Sequence, residues 1–167
     1  MTTSKEPSLI YEIEPIGHVR GGRIEPIDDN WVTETATIEL DPTQWSPESL
    51  AGLDAFSHLD VVYLFHQVDP DAVTRDARHP RGNTEWPKVG IFAQRARMRP
   101  NRIGVTTCRL LGIAGLSVLV QGLDAIDGSP VIDIKPHVRE FTARGTIVQP
   151  QWMSELMINY WGEAGAQ

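Results

Sequence analysis

Short runs in which apolar and polar residues alternate, separated by glycine and proline, dominate the chain. The clearest run spans residues 31–40, where the even positions carry Val, Ala, Ile and Leu besides one Glu, and the odd positions are mostly Thr. This period of two predicts a strand that is buried on one face. Residues 58–68 instead form a nearly continuous apolar run, which predicts a central strand buried on both faces. Further strands are predicted over residues 9–19, 103–113, 116–123 and 131–134.

Two segments have the pattern of a helix. Ser46, followed by Pro47 and later by Gly52, predicts a helix of one or two turns, because serine caps a helix and proline suits its first turn. Residues 151–161 place two Trp, two Met, one Leu and one Tyr at helical spacing, which predicts an amphipathic C-terminal helix. Its apolar stripe either packs on the chain's own core or forms a dimer interface, and the pattern leaves both interpretations open.

Many short strands bounded by turns, with little helix, predict an all-β fold. We expect a small single-domain β-barrel with short helices and a C-terminal amphipathic helix. The domain would span residues 1–167, with a core at about 9–138 and the helix at about 151–161, since 167 residues that are 41% hydrophobic suffice for one core. The chain contains no G-x-G sequence, which disfavours the doubly wound fold that binds dinucleotides.

The positive charge of the chain is concentrated in one stretch. The formal net charge is -7, yet residues 86–123 contain one Lys, five Arg and no Asp or Glu. Four of these arginines lie within residues 95–102, in a predicted loop between two strands. A solvated run of charges is one interpretation. The other is a loop that receives an anion. Two features favour it: Pro100 restricts the backbone of the residue before it, and the flanking Gly90 and Gly104 allow the backbone to bend or to come close to another group.

Cysteine and histidine usage sets further limits. Cys108 is the only cysteine, so no intrachain disulfide can form, and its place in an apolar strand predicts a buried, unreactive thiol. The five histidines show no ligand spacing, and we expect no metal.

The first eight residues are polar, and no run approaches the roughly 18 apolar residues of a membrane span, so we expect a soluble protein of the cytoplasm with no membrane contact.

Three segments carry a family resemblance. They are FSHLDVVYLFHQ at residues 56–67, GIFAQRARMRPNRIG at residues 90–104 and GLDAIDGSPVIDIKPHV at residues 122–138. The second resembles the pattern G-(V/I)-F-A-T-R-S-x-x-R-P-N-P-I-G, and the third resembles L-D-x-x-D-G-T-P-V-L-D-I-K-P-Y. Both patterns belong to the TsaA-like (TrmO-type) methyltransferases, and the resemblance runs from residue 16 to about residue 138.

This resemblance implies a barrel that binds S-adenosyl-L-methionine, often at a homodimer interface. It also implies an activity, the N6-methylation of a modified adenosine, threonylcarbamoyladenosine, at position 37 of tRNA. Two alternatives stay open. The same fold could methylate a small molecule, or the chain could be a non-catalytic barrel that binds an anionic ligand.

The predicted cofactor-binding residues lie in the three segments. They are His66, Gln67, Arg95, Arg99, Asn101, Asp127, Gly128, Ser129 and Pro130. Arg95 or Arg99 would clamp the methionine carboxylate with two parallel hydrogen bonds. The turn over residues 127–130 would let the backbone approach the adenosine closely. Contact by His66 is implied by the resemblance, and a structural role is its alternative.

The predicted catalytic residues are Asp133, Lys135 and His137. Asp133 and Lys135 alternate with isoleucines in a predicted strand and therefore point to one face. They form either an ion pair in solvent or contacts with the methyl acceptor. His137 stands where the family commonly has Tyr; if this position handles the substrate proton, we expect a different acceptor or pH dependence in this chain. In the loop over residues 20–30, which we expect to be functional because of its length, this chain has Arg-Gly-Gly where the family has an Arg-Ser-Pro-Phe-like element near the cofactor.

Overall fold

Six antiparallel strands form a closed β-barrel in the computed structural model, which describes residues 9–162. In chain order, the strands are β1 (Gly17–Arg20), β2 (Thr35–Leu40), β3 (His58–Leu64), β4 (Ala77–Arg78), β5 (Val89–Gly90), β6 (Ile103–Ala114), β7 (Ser117–Gln121) and β8 (Pro130–Pro136). The barrel order is β1-β2-β7-β6-β3-β8, while β4 and β5 pair with each other in a separate sheet. The predicted all-β barrel is therefore confirmed.

Alternate residues of each strand fill the inside of the barrel. In β3, Leu59, Val61 and Tyr63 are fully buried, while Val62 and Leu64 are half-buried. The prediction that this strand is buried on both faces is therefore wrong, because a closed barrel offers each strand a single inner face. The strand also ends earlier than the apolar run, so residues 65–68 lie in the turn that follows it.

The first two barrel strands are shorter than their predicted runs. β2 begins at Thr35 instead of residue 31, and its alternation is confirmed because its three apolar side chains are buried. The strand predicted over residues 9–19 begins only at Gly17. Ile16 still makes backbone hydrogen bonds with Val131 and Asp41, but β2 ends at Leu40 and the chain turns at residues 42–44, so the earlier residues have no continuation of β2 to pair with.

The remaining predicted strands are confirmed with small changes in their ends. β6 and β7 form the predicted hairpin, and Gly115 in its turn has a φ of +62°, a conformation that favours glycine. The pairing of these strands shifts register between Leu110 and Gly112, which marks a bulge in β6. β8 extends one residue before and two residues beyond the predicted 131–134.

The predicted helices are both shorter than expected. A 3-10 turn over Pro47–Leu50 replaces the first one, because Ala51 already leaves helical geometry with a ψ of 126°. The C-terminal helix α1 covers Gln151–Met157, and residues 158–160 continue it only as a turn. Within residues 9–162, no helix has the length and apolar character needed to cross a membrane.

The two ends of the barrel differ in what they carry. At one end β1, β3 and β7 finish while β2, β6 and β8 begin. The basic loop of residues 91–102 leads directly into β6 at this end. The opposite end carries the β6–β7 turn and His58, whose carbonyl accepts a hydrogen bond from the His137 N–H at 2.9 Å.

Candidate active site

A cavity of about 1030 Å³ lies at the end of the barrel where β3 finishes and β6 begins. Three groups of side chains line it. The barrel contributes Tyr63, Phe65, Thr106, Asp124 and Ser129; the basic side contributes Arg78, Arg81, Arg95, Arg97 and Arg99; the C-terminal segment contributes Trp152, Met153, Leu156, Met157, Tyr160 and Trp161. Ligand pockets in proteins typically measure about 300–1,000 Å³, so the cavity has room for a nucleoside-sized ligand.

Asp124 is the centre of a hydrogen-bonded cluster in this cavity. Its Oδ1 accepts a hydrogen bond from the Tyr63 hydroxyl at 2.8 Å and another from the Thr106 hydroxyl. Its Oδ2 accepts one from the Tyr160 hydroxyl. The donors come from β3, β6 and the segment after α1, so one carboxylate joins three elements. A carboxylate accepts about four hydrogen bonds, which leaves an acceptor position on Oδ2 for a ligand.

The protonation of the two tyrosines follows from this arrangement. Burial and the negative charge of Asp124 raise the pKa of Tyr63 and of Tyr160 well above the usual value. Both hydroxyls are therefore protonated at neutral pH and donate to the carboxylate. Burial likewise raises the pKa of the Cys108 thiol to about 12, and its side chain is 2% exposed. The prediction of a buried cysteine is confirmed.

The C-terminal segment, residues 151–161, closes one side of the cavity. Backbone N–H groups of residues 30–32 donate to carbonyls of residues 159–161 at 2.8 to 3.0 Å. The Trp86 indole donates to the Glu155 carboxylate of α1 at 2.8 Å. The apolar stripe itself lines the cavity, and no residue of α1 is buried, so packing on the chain's own barrel and a dimer interface both stay open.

The basic loop brings unneutralised positive charge to the cavity. The Arg95 and Arg99 guanidinium groups each donate to a backbone carbonyl, at 2.7 and 2.9 Å. Neither forms an ion pair with a carboxylate of residues 9–162, whereas Arg97 lies 3.7 Å from the Asp28 carboxylate. A guanidinium has five N–H donors, so Arg95 and Arg99 keep donors for an anionic ligand.

A smaller cavity of about 330 Å³ adjoins the large one and shares Phe65 and Ile126 with it. His66 and Gln67 line this smaller cavity. The His66 Nδ1 lies 3.3 Å from the hydroxyl oxygen of Ser129, which lines the large cavity. Burial, with a contribution from the nearby His18, lowers the pKa of His66 although Asp127 opposes the shift, so its imidazole is neutral at pH 7.

Four predicted cofactor-binding residues line neither of these cavities. They are Asn101, Asp127, Gly128 and Pro130. The Asp127 carboxylate accepts a hydrogen bond from the Gly21 N–H at 2.9 Å and so ties the turn to the first loop. Gly128 lies against the His66 ring, and Asn101 is exposed in the turn before β6. Their contact with a cofactor stays a prediction.

The predicted catalytic residues lie on the outer surface of the barrel and line neither cavity. Asp133 and Lys135 form an exposed ion pair on β8, as in the ion-pair interpretation. His137 lies beyond the far end of β8, with its Nδ1 3.0 Å from the Asp60 carboxylate. Although burial opposes the shift, hydrogen bonds from Thr107 and His137 lower the pKa of Asp60. A role of the three residues in catalysis stays a prediction.

The first loop, residues 20–30, reaches the cavity as its length suggested. Arg23 organises it: the guanidinium carbon lies 4.3 Å from the centroid of the Trp31 ring, and Nε lies 3.0 Å from the Glu34 carboxylate. Residues 26–28 then line the large cavity. The Arg-Gly-Gly sequence of this chain thus belongs to a loop that still borders the site.

The Asp124 cluster was not found from the sequence. Tyr63 was assigned to the core and Tyr160 to an apolar stripe, and Thr106 had no predicted role. Asp124 lies inside the third resembling segment, three residues before Asp127, and that position is the one signal that could have found it. Within residues 9–162, no three His, Cys, Asp or Glu side chains are grouped as metal ligands.

Comparison with known proteins identifies a family that matches most of the chain. Residues 23–143 match the family described as the tRNA-methyltransferase O N-terminal domain. The chain belongs to this family. The matched residues include the basic loop, Asp124 and the turn before β8, whereas α1 and Tyr160 lie beyond them. The C-terminal wall of the cavity is therefore a part of this family member that the shared domain does not describe.

Individual relatives agree with the assignment. The human tRNA (adenine(37)-N6)-methyltransferase is 36% identical over 106 residues, or 63% of this chain and 24% of the human protein. A probable S-adenosyl-L-methionine-binding protein of Methanothermobacter thermautotrophicus is 36% identical over 137 residues, or 80% of this chain and 94% of that protein. The crystal structure of TrmO from Pseudomonas aeruginosa has a TM-score of 0.71 and 29% identity, and covers 89% of this chain and 64% of TrmO. The match spans 58% of the putative S-adenosylmethionine-dependent methyltransferase RcsF from the same organism.

Proposed function

We propose that the chain is an S-adenosyl-L-methionine-dependent methyltransferase that acts on the N6 amine of an adenosine in tRNA, of the position-37 type. The large cavity carries this proposal, because it combines arginines without carboxylate partners, an apolar wall and the Asp124 carboxylate in one space. The human relative is named for this reaction, and the archaeal relative is named for binding this cofactor.

The residues that line the cavity fit the chemical groups of the cofactor. Arg95 and Arg99 offer donors to its carboxylate, and the apolar side chains of residues 152–161 offer a surface to its adenosine. When bound, the cofactor supplies an electrophilic methyl group on a sulfonium. The arginines would hold its anionic end, and the C-terminal wall would exclude water from the reacting atoms.

The other predicted cofactor contacts are part of the proposal. His66 and Gln67 line the adjoining cavity, and Ser129 connects the two cavities through its contact with His66. The rest of the turn over residues 127–130 stands beside them. Asn101 ends the basic loop and would help to set the conformation of the arginines before it.

Asp124 is the residue that we propose to handle the acceptor. Methylation of an amine forms an N–C bond, breaks the S–C bond and leaves one proton on nitrogen to be taken up. Hydroxyl donors from Tyr63, Thr106 and Tyr160 hold both carboxylate oxygens in place. The acceptor position left on Oδ2 would orient the amine through its N–H and then take the released proton.

We further propose a homodimer that uses the outer face of β6, β3 and β8. This face begins at the cavity mouth, where Phe92, Ile103 and Val105 are exposed apolar residues that also line the cavity. It continues through the strand pairing to Asp133 and Lys135. In a twofold dimer this face meets itself, so each copy would bring Asp133 and Lys135 to the cavity mouth of the other. That placement would give their predicted catalytic role a physical basis.

The whole chain is proposed to act as one domain, in which the C-terminal segment completes the barrel site. We place the protein in the cytoplasm, because the proposed acceptor is tRNA.

Titration calorimetry with S-adenosylmethionine and S-adenosylhomocysteine tests the cofactor. We expect micromolar binding of both, and an Arg95→Ala, Arg99→Ala double variant should bind at least about 10-fold more weakly, since two charge-assisted contacts are lost. Absence of binding to either compound by the unaltered protein would contradict the proposed function.

A methylation assay with unmodified and threonylcarbamoyl-modified tRNA tests the acceptor. Affinity for tRNA should fall steeply as salt concentration rises, because basic residues displace counterions from the phosphates. The Asp124→Asn variant should keep its affinity for S-adenosylhomocysteine and lose about 100-fold or more in kcat. Cofactor binding without salt-dependent tRNA binding would instead point to a small-molecule acceptor.

A further inference from the structure

Arg78 is an arginine of the large cavity whose backbone is held rigidly. It lies on β4, opposite Val89 of β5. The side chain of Gln94, which is 5% exposed, donates to the carbonyl of Arg78 at 3.1 Å and to that of Val89 at 2.9 Å. Gln94 therefore connects the short β4–β5 sheet to the basic loop and fixes the point from which the Arg78 side chain starts.

The Arg78 guanidinium has no oxygen partner among residues 9–162. Its Nε is buried and makes no hydrogen bond, and its Nη1 has only the Met98 sulfur at 3.5 Å. A thioether sulfur is a weak acceptor. A buried charged donor without an acceptor opposes folding, so its presence in a natural structure calls for a partner such as a water, an ion or a ligand.

Each of the other arginines of the cavity has at least one oxygen acceptor in the described part of the chain. Arg95 and Arg99 donate to backbone carbonyls. Arg81 and Arg97 form ion pairs with the acidic residues of the first loop. Arg78 thus differs from the other arginines of the cavity, because it lines the cavity and its guanidinium has no oxygen acceptor in the described residues.

We propose that Arg78 binds the carboxylate of the methionine portion of the cofactor. This inference rests on the proposed function and adds Arg78 to Arg95 and Arg99 as a residue that holds the anionic end of the cofactor. A small carboxylate can enter the cavity, and a rotation of the guanidinium away from Met98 would give it the oxygen acceptors that it lacks. The half-buried position of Arg78 favours a small ligand over an RNA phosphate, which would meet the exposed arginines first.

Calorimetry with a pair of ligands tests this assignment. S-adenosylhomocysteine carries the carboxylate, and 5′-methylthioadenosine shares its thioether and adenosine without the amino acid portion. The Arg78→Ala variant should bind S-adenosylhomocysteine at least about 10-fold more weakly, with the affinity for 5′-methylthioadenosine unchanged. Arg78→Gln, which keeps most of the side-chain volume, should show the same selective loss. Arg75→Ala is the matched control, because Arg75 is exposed and lines neither cavity, and it should alter neither affinity.

The possible outcomes separate this inference from the proposed function. An equal loss of affinity for both ligands in Arg78→Gln would show a structural role and overturn the inference. Unchanged affinity for S-adenosylhomocysteine in both Arg78 variants would overturn it as well. If the unaltered protein binds both ligands equally tightly, the carboxylate contact is absent while a nucleoside site exists. If it binds neither ligand, the proposed function fails and this inference fails with it.

Discussion

Gly104 allows the close packing of Tyr63 at the candidate active site because it has no side chain. A Cβ at this position would lie 2.5 Å from the Tyr63 Cζ, well inside van der Waals contact. Tyr63 is 1% exposed and donates to Asp124, so a displacement of its ring would break this hydrogen bond. The close approach predicted at Gly104 is therefore confirmed, whereas a Cβ at Gly90, the other glycine that flanks the loop, would meet nothing within 4 Å.

We expect Gly104→Ala to lower the free energy of unfolding by about 1–3 kcal/mol, because the added methyl group overpacks the barrel against Tyr63. Gly112→Ala is the matched control on the same strand, since its Cβ would meet no atom within 4 Å. Urea unfolding followed by circular dichroism measures both variants. Equal stability of the two would show that Tyr63 can move, and that Gly104 does not position the Asp124 cluster.

The C-terminal segment is the element that lies outside the family match and still completes the cavity. Three of its carbonyls accept backbone hydrogen bonds from residues 30–32, and these bonds hold the turn after α1 beside the first loop. The Tyr160 hydroxyl adds a hydrogen bond from this segment to the Asp124 carboxylate inside the cavity. One side chain thus connects the docking of this segment with the orientation of the proposed catalytic carboxylate.

We expect Tyr160→Phe to loosen the C-terminal segment, because a hydrogen bond to a charged group contributes about 1.5–3 kcal/mol. Hydrogen exchange should become faster at the amides of residues 30–32, which donate to this segment. Tyr11→Phe is the control, as Tyr11 is 79% exposed. Exchange rates that stay the same in Tyr160→Phe would show that the backbone contacts alone hold the segment.

At the scale of the whole molecule, the proposed dimer makes a separate prediction. Val105→Glu should shift the protein towards the monomer, because it places a charge in the centre of the apolar part of the proposed interface. Leu119→Glu is the matched control, since Leu119 lies on β7 with an exposure of 42% against 47% for Val105. Sedimentation velocity measures the result. A protein that is monomeric before substitution would contradict the dimer and remove the physical basis for a role of Asp133 and Lys135.

The fold was predictable to the extent that it depends on neighbours in sequence. The alternation in β2 and the turn at Gly115 follow from local geometry, and both were predicted correctly. The errors concern pairing: the N-terminal run is apolar enough for a strand, but β2 ends at Leu40 and leaves the earlier residues of the run without a partner on that side. The second face of β3 was misjudged as well, since an apolar run does not reveal whether a sheet closes.

The site was predictable only in part. Arg95, Arg99 and Ser129 line the large cavity, and His66 and Gln67 line the adjoining one. The hydroxyl donors to Asp124 were missed because a tyrosine or threonine in an apolar run is normally a core residue, and only its partner reveals another role. The outer position of the proposed catalytic pair could not be predicted either, because alternation along β8 shows that two residues share a face without showing which face that is.

The sequence by itself therefore determined the properties that are local to the chain: the strand periods, the turns, the separation of positive charge into one loop, and the motifs that indicate the family. Only the tertiary structure decided which distant groups meet. Closure of the barrel and docking of the C-terminal segment bring Tyr63, Thr106, Asp124 and Tyr160 together, and the same packing leaves Arg78 without an oxygen partner in the described residues. The physical reason is that hydrogen bonding and charge pairing depend on separations of a few ångströms in space, which spacing along the chain does not specify.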